Sequence, residues 1–223
     1  MKKVVFFDMN ETLLNLSLLK EQFDKHFDDK YILKYWFTKL LHTSTIMGIM
    51  DEYRNFGELA DMALENLFFE NNKPLSSEIK AEILGEFRKL PAYEDVRPAL
   101  RILKNNDMRV IAVSNSSSEM IKEQLTNAGI MDLFDSYYSA DNVEKYKPFN
   151  NIYHFAAKQE GLQMENIVMV AAHDWDLFGA KKAGLTTAYI KRKEEIYNPY
   201  YLQPDFNASN LYDLIQQLIK TAH

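Results

Sequence analysis

The sequence contains no cysteine. This excludes disulfide bonds, thiolate nucleophiles and sulfur-ligated metal sites together, and it fits a reducing compartment. Nor is there an excess of positive charge: 26 Lys and Arg stand against 32 Asp and Glu, a formal net charge of -6. Such a balance offers no footprint for nucleic acid or an anionic membrane, both of which attract clustered basic residues, so a small-molecule substrate is expected. Long apolar runs are missing as well. The opening MKKVVFFDMNETLL has a basic start but only about four apolar residues before Asp8, short of the ~7–15 in a secretory signal. It reads as a first strand, and a cytoplasmic protein is expected. No internal repeat, low-complexity tract or membrane-spanning stretch is found.

The 223 residues are 47% hydrophobic, enough for one core plus a modest inserted unit. Val4, Val5, Phe6 and Phe7 form a β-prone run of the kind buried on both faces of a parallel sheet. Residues 109–113 (RVIAV) and 167–171 (IVMVA) look alike. All three runs stop at polar residues: Asp8, then SNSSS, then AHDWD. Ligands of open α/β sheets bind beyond the carboxyl ends of the strands, so these clusters are expected to converge on one site.

Between the strands, residues 116–128 read as a helix with serines at its start and Gly129 beyond its end. Residues 176–183 read as another, closed by Gly184, followed by a strand at 187–190 and a terminal helix at 209–221. The interval 14–93 breaks the alternation. It holds amphipathic stretches, among them 30–41 and 56–69, and no convincing strand, and its exit is marked by Pro91 and Pro98. The expected architecture is an α/β core of residues 1–13 and 94–223 with an inserted all-helical cap at 14–93.

By itself, an Asp after an apolar run is more often a turn or cap residue than a catalyst. Asp8 gains interest from Ser114-Asn115, Tyr146-Lys147-Pro148 and His173-Asp174-Trp175-Asp176. A carboxylate held away from water is nucleophilic, and Lys147 would keep it ionised. Thr12 and Ser114 would orient its oxygens, Asn115 would donate to a bound substrate, and Asp176 would activate water or fix Lys147. The bland alternatives are a solvated loop lysine, a serine cap, and an acid favoured by the dipole of a helix start.

In order along the chain, FDMNETLL, VSNSS, YKPFNNIYHFA and AAHDWDLFGAKKAGLTTAYI resemble the four motifs of the haloacid dehalogenase superfamily. The resemblance implies a Rossmann-like three-layer core in which Asp8 attacks the substrate to form a covalent aspartyl intermediate that water hydrolyses. The superfamily's phosphotransferases carry an acidic Asp two residues after the nucleophile and a magnesium-binding Asp four residues before the position of Asp176. Here those positions hold Asn10 and Ala172. An amide cannot protonate a leaving alkoxide, and a lost ligand weakens a magnesium site. The alternative, a phosphatase of a small phosphorylated metabolite, would bind Mg²⁺ through Asp174 or Asp176.

Halide leaves without protonation. Thr12, Ser114, Asn115, the Lys147 and Tyr153 spacing and the Trp175-Asp176 pair resemble the metal-free (S)-2-haloacid dehalogenase branch. That resemblance implies a small 2-haloalkanoic acid as substrate, no cofactor, a homodimer, and a halide cradle of Asn115 and Trp175. Core packing is the plainer reading of Trp175. Phe37 falls where the branch carries an arginine for halide and carboxylate, and a phenyl ring cannot replace that bidentate contact. Lys34 lies one turn earlier. Ala171 and His173 replace a Ser and an Asn, and His173 reads either as a new base or as a packed polar residue. Asn10, Phe37, Asn115, Tyr153, His173 and Trp175 are thus the candidate substrate contacts. A third reading is a degenerate relative that binds a ligand without turnover. The aromatics of the insertion (Tyr35, Trp36, Phe37, Tyr53, Phe56, Phe68, Phe69) are expected mainly in the core of the cap, with some over Asp8.

Overall fold

The computed structural model describes residues 4–222, so Lys2 and Lys3 of the basic start lie outside the described residues. The three expected runs form β1 (Val4–Phe7), β2 (Arg109–Ser114) and β4 (Ile167–Ala171), and β1 and β4 are buried along their whole length. With β3 (Ser136–Ser139), β5 (Thr186–Ile190) and β6 (Phe206–Ala208) they make a six-stranded parallel sheet of order β3-β2-β1-β4-β5-β6. The chain departs from the middle strand first to one side and then to the other. The carboxyl ends of β1, β2 and β4 are therefore neighbours at the switch point.

Side-chain alternation along β1 sorts the helices into layers. Val5 and Phe7 pack with α5 (Val96–Asn105), α6 (Ser118–Asn127) and α9 (Leu211–Ala222), represented by Leu100, Ile121 and Leu214. Val4 and Phe6 pack on the opposite face with α7 (Asn150–Gln159) and α8 (Asp174–Lys182), through Ile152, Ala156 and Leu177. This is the three-layer α/β arrangement. The edge strands β3 and β6 were not read from the sequence. They are short, and their sequences SYYS and FNA lack a buried apolar run, because an edge strand has one neighbour and a wetter environment.

Between β1 and α5 the described chain forms four helices: α1 (Ser17–Asp24), α2 (Ile32–Ile49), α3 (Phe56–Glu70) and α4 (Ser77–Phe87). The two passages to and from these helices lie side by side. Tyr93 N–H donates to Leu13 O at 2.9 Å and Asn15 N–H to Pro91 O at 2.8 Å, around an antiparallel bridge between Leu14 and Ala92. α2 runs eight residues past the expected end at Leu41. The polar HTST stretch stays helical because Ser44 and Thr45 donate their hydroxyls back to Leu41 O, at 2.8 and 2.9 Å. Asn55 starts α3 with a full capping box to Glu58.

Trp36 anchors the helices. Its indole N–H donates to Ala60 O at 3.2 Å, and its ring lies 5.4 Å from Phe23 and 5.6 Å from Phe87. Trp36, Phe37, Phe56 and Phe68 are buried and Tyr53 packs half-buried against the core, as expected for most of these aromatics, whereas Tyr35 and Phe69 are exposed. Tyr35 is turned outward to hydrogen-bond Glu70. No helix among the described residues is long and apolar enough to cross a membrane.

A loop between β3 and α7 carries Lys147 under α2 and against α8. Lys145 donates to Gly48 O at 2.7 Å, and a side chain on Gly48 would collide with the ring of Phe149. Likewise, a Cβ on Gly179 of α8 would overlap the backbone and ring of Pro148. Glycine at 179 therefore sets how closely α8 approaches the Lys147 loop. Gly179→Ala is expected to lower the unfolding free energy by about 1–3 kcal/mol, the usual cost of overpacking, as read from urea unfolding.

Candidate active site

Asp8 follows β1, Ser114 and Asn115 end β2, Lys147 arrives in the loop before α7, and Asp176 sits in the first turn of α8. The switch point brings all of them together. Lys147 is buried and all three of its ammonium protons are engaged: Asp8 Oδ1 at 2.6 Å, Asp176 Oδ2 at 2.7 Å and Val113 O at 3.0 Å. It is not a solvated loop lysine. Burial alone would push its ammonium pKa down, but Asp176 and Asp8 prevail and raise it.

The second oxygen of Asp8 accepts from Thr12 Oγ1 at 2.6 Å, and Thr12 in turn accepts from Ala172 N–H at 2.8 Å. His173 Nδ1 stands 3.1 Å from the same oxygen. Burial would raise the Asp8 carboxyl, yet Lys147 and His173 hold it well below the usual carboxylate range. Asp8 is thus an ionised carboxylate nearly sealed from water. Asp176 differs: burial pushes its carboxyl up, against the pull of Lys147.

Asn115 turns its side chain to the Lys147 backbone, accepting the Lys147 N–H at 2.7 Å, and so fixes the loop that carries the ammonium. Ser114 Oγ accepts from Ser116 N–H at 3.1 Å. Asn10 is held by two buried groups, donating to Ser116 Oγ at 3.4 Å and accepting from Gln124 Nε2 at 3.2 Å. Trp175 stacks on His173 with ring centres 5.2 Å apart, and Phe37 approaches the imidazole from α2 at 6.3 Å.

These side chains enclose a chamber of about 20 Å³ lined by Asp8, Asn10, Ser114, Asn115, Lys147 and His173, with Phe37, Leu41, Phe56 and Trp175 around them. A cavity of about 560 Å³ lies next to it, bordered by Lys20, Lys30, Lys34, Lys193, Glu11 and Tyr93. Phe37, Leu41, Lys147, His173 and Trp175 line both.

Tyr153, expected at the substrate, borders neither space. It is fully buried, and its hydroxyl donates to Asp176 Oδ1 at 2.5 Å, so it supports Asp176 from beneath. It is the fourth residue of α7, one turn past the helix start, and from there its hydroxyl reaches Asp176 of α8 rather than the chamber. His173 is more than a packed polar residue, because both of its ring nitrogens meet carboxylates. Its Nε2 meets Glu11 Oε2 at 3.1 Å while Nδ1 meets Asp8. Burial would lower its pKa, but the two carboxylates push it up to about 10.

Glu11 is the site residue that sequence reasoning missed. It follows Asp8 by three positions and pairs with both His173 and Lys193, which hold its carboxyl low despite burial. The only signal available, an acid in a loop, reads as a solvated residue. Gln124 was also missed, since a glutamine inside a helix carries no mark of burial.

A magnesium ion does not fit these residues. The gap between Asp8 and Asp176 is filled by the Lys147 ammonium, and Ala172 supplies no side-chain donor. Asp174, the substitute carboxylate, faces elsewhere: its oxygens accept from Trp175 N–H at 2.7 Å and Asn198 N–H at 3.1 Å. Among the described residues no group of three or more His, Asp or Glu side chains is placed to hold a metal.

A parallel sheet of this order, with polar residues from three adjacent strand ends meeting under a helical insertion, defines an α/β enzyme scaffold. The chain belongs to the haloacid dehalogenase-like hydrolase family, whose model matches residues 2–184. It is 27% identical to an (S)-2-haloacid dehalogenase of Pseudomonas sp. (strain YL), covering 99% of this chain and 95% of that protein. It is 28% identical to haloacetate dehalogenase H-2 of Moraxella sp. (strain B), covering 98% and 99%. Among solved structures, the L-2-haloacid dehalogenase RSc1362 superposes with a TM-score of 0.93 at 25% identity, covering 97% and 98%.

The charge pattern makes stability depend on pH from both sides. Asp8 and Glu11, lowered on folding, contribute fully above their ordinary values of 3.8 and 4.5 and lose that contribution as pH falls through their lowered values. His173, raised on folding, contributes fully below 6.5 and loses it as pH rises through about 10. The urea midpoint is expected to be highest between about pH 4.5 and 6.5 and to decline on either side. A midpoint unchanged from pH 6 to 10 would contradict the His173 ion pairs.

Proposed function

We propose that this protein hydrolyses the carbon–halogen bond of a small 2-haloalkanoic acid through an ester on Asp8, without a metal. The observation that carries this reading is the Lys147 ammonium shared between Asp8 and Asp176, because it keeps the nucleophile ionised while filling the place a cation would need. The likeness along nearly the whole chain to proteins named as haloacid and haloacetate dehalogenases supports the substrate class.

Asp8 is the nucleophile in this mechanism. Thr12 and Lys147 each hold one of its oxygens, so attack needs little reorientation. The oxygen displaces halide at the substrate carbon, and the anion departs toward Asn115 and Trp175, which line the chamber. No proton is needed for that departure, which removes any demand for an acid at Asn10. Ser114 and Asn10 face the bound acid as neutral donors. Once the ester forms, Lys147 and Asp176 remain paired beside it, ready to stabilise charge during hydrolysis.

We assign residues 1–13 and 94–223 to the catalytic core and 14–93 to a cap. The cap contributes Phe37, Leu41 and Phe56 to the chamber wall and thereby excludes bulk water from the displacement step. With Phe37 on this wall, a substrate carboxylate meets no free guanidinium. Weak binding and a high KM are the expected consequence. The magnesium-dependent phosphatase alternative finds no comparable support, since the acid, the ligand and the space for the ion are all wanting.

The test is halide release from each enantiomer of 2-chloropropionate in EDTA. Release with one enantiomer preferred, and a drop of at least about 10³-fold in Asp8→Asn, is expected. Release that survives Asp8→Asn would refute the nucleophile assignment.

A further inference from the structure

The imidazole of His173 takes no part in the bond changes that form the ester, yet both of its ring nitrogens are engaged by carboxylates. It is gripped from both ends, with Nδ1 3.1 Å from Asp8 Oδ2 and Nε2 3.1 Å from Glu11 Oε2. Trp175 stacks on the ring, and Phe37 lies 6.3 Å from it. Glu11 adopts a left-handed backbone (φ 62°), a conformation that costs a residue with a Cβ of order 1 kcal/mol or more. That turn directs the carboxyl back toward the ring, where Lys193 keeps it ionised. An acid, an imidazole and the reacting carboxylate are thus lined up in contact.

We propose that His173, oriented by Glu11, is the general base that activates the hydrolytic water, an inference that rests on the ester mechanism above. In the resting enzyme both ring nitrogens are protonated and donate to Asp8 and Glu11. The Asp8 oxygen bonds to the substrate carbon as the carbon–halogen bond breaks, and the negative charge leaves with the halide. Nδ1 then faces a neutral ester. With one of its two ion partners gone, the imidazolium releases the Nδ1 proton to solvent, and this is the one net proton of the overall reaction. Glu11 retains its hydrogen bond from Nε2–H and so fixes the tautomer whose free lone pair, on Nδ1, points at the ester.

A water beside the Asp8 carboxyl gives a proton to Nδ1 and adds its oxygen to Cγ of Asp8. The tetrahedral adduct collapses by breaking the Cγ–O bond to the substrate. The departing alkoxide takes the proton of the newly formed carboxyl group, which leaves Asp8 ionised next to a protonated His173. The sum is organic halide plus water giving alcohol, halide and one proton. The resting ion pairs that raise the His173 pKa to about 10 are thereby restored, and this protects the ring from acting as a base before the ester exists. Groups facing the ring from every side fit this cycle. Asp8 comes from the end of β1, Glu11 from the loop after it with Lys193 behind, and Lys147 holds the far oxygen of Asp8. Asp174 and Asp176 lie on α8 itself, and α2 offers the uncharged Phe37, with Lys34 and His42 along the outer cavity.

His173→Asn and His173→Gln, mixed with excess 2-chloropropionate, are expected to release a burst of about one halide per site and then to turn over ~10²–10⁴-fold more slowly than wild type. Mass spectrometry of the quenched variants should find the substrate residue attached to Asp8. Glu11 is a positioning residue: Glu11→Gln removes one of the charges that raise the imidazole, so the acidic limb of its turnover profile should move to lower pH. Steady turnover near the wild-type rate in both His173 variants, or no burst in variants whose circular dichroism and melting match wild type, would overturn the proposal. An unmoved acidic limb in Glu11→Gln would remove Glu11 from it and, if the His173 variants do not fold, would overturn it outright. Absence of halide release from wild type would instead refute the dehalogenation reading and this inference with it.

Discussion

The structure depends on one buried ammonium. Lys147 is withdrawn from water, which would cost several kcal/mol if it were alone, and two carboxylates and a carbonyl accept its three protons. Those carboxylates come from β1 and α8 and the carbonyl from β2, while Lys147 itself lies in the loop before α7. The same contact therefore fixes the registration of four chain segments and keeps Asp8 ionised. Removing any one partner leaves a buried charge unpaired, so the pieces stand or fall together. The surrounding neutral contacts serve that arrangement: Asn115 fixes the Lys147 backbone, Tyr153 supports Asp176, and Gly179 lets α8 come close enough.

A second layer of charge lies outside the first. His173 and Lys193 alternate with Asp8 and Glu11, so that the sequence lysine, aspartate, histidine, glutamate, lysine runs from the buried chamber outward to the larger cavity. Alternation of sign keeps each carboxylate between two cations. In the mechanism proposed above, loss of the Asp8 charge on ester formation is felt first by the nearest members of this chain, Lys147 and His173. Of the two, the imidazole has the intrinsic basicity suited to giving up a proton near neutral pH.

Much of this was legible in the sequence because the central strands are buried on both faces, which writes them as continuous apolar runs. The polar residues at their ends are conspicuous for the same reason. The edge strands β3 and β6 were not legible, since half-solvated strands of three or four residues leave no pattern that distinguishes them from loops. α2 was cut short at a run of Ser and Thr whose helix-weakening hydroxyls are satisfied within the helix. The grouping of Asp8, Lys147 and Asp176 could be anticipated from motif order. The place of Glu11 could not, because nothing local distinguishes an acid aimed at an imidazole from one aimed at solvent. Tyr153 illustrates the converse: spacing located the residue correctly but said nothing about which way one turn of helix directs its hydroxyl.

The reaction chamber, at about 20 Å³, is close to the smallest space that holds a single water molecule. It shares Phe37, Leu41, Lys147, His173 and Trp175 with the outer cavity of about 560 Å³, so the two spaces have one continuous lining. On the proposed reading the inner space takes the reacting carbon and the outer cavity takes the remainder of the acid, so selectivity for chain length lies in the outer lining.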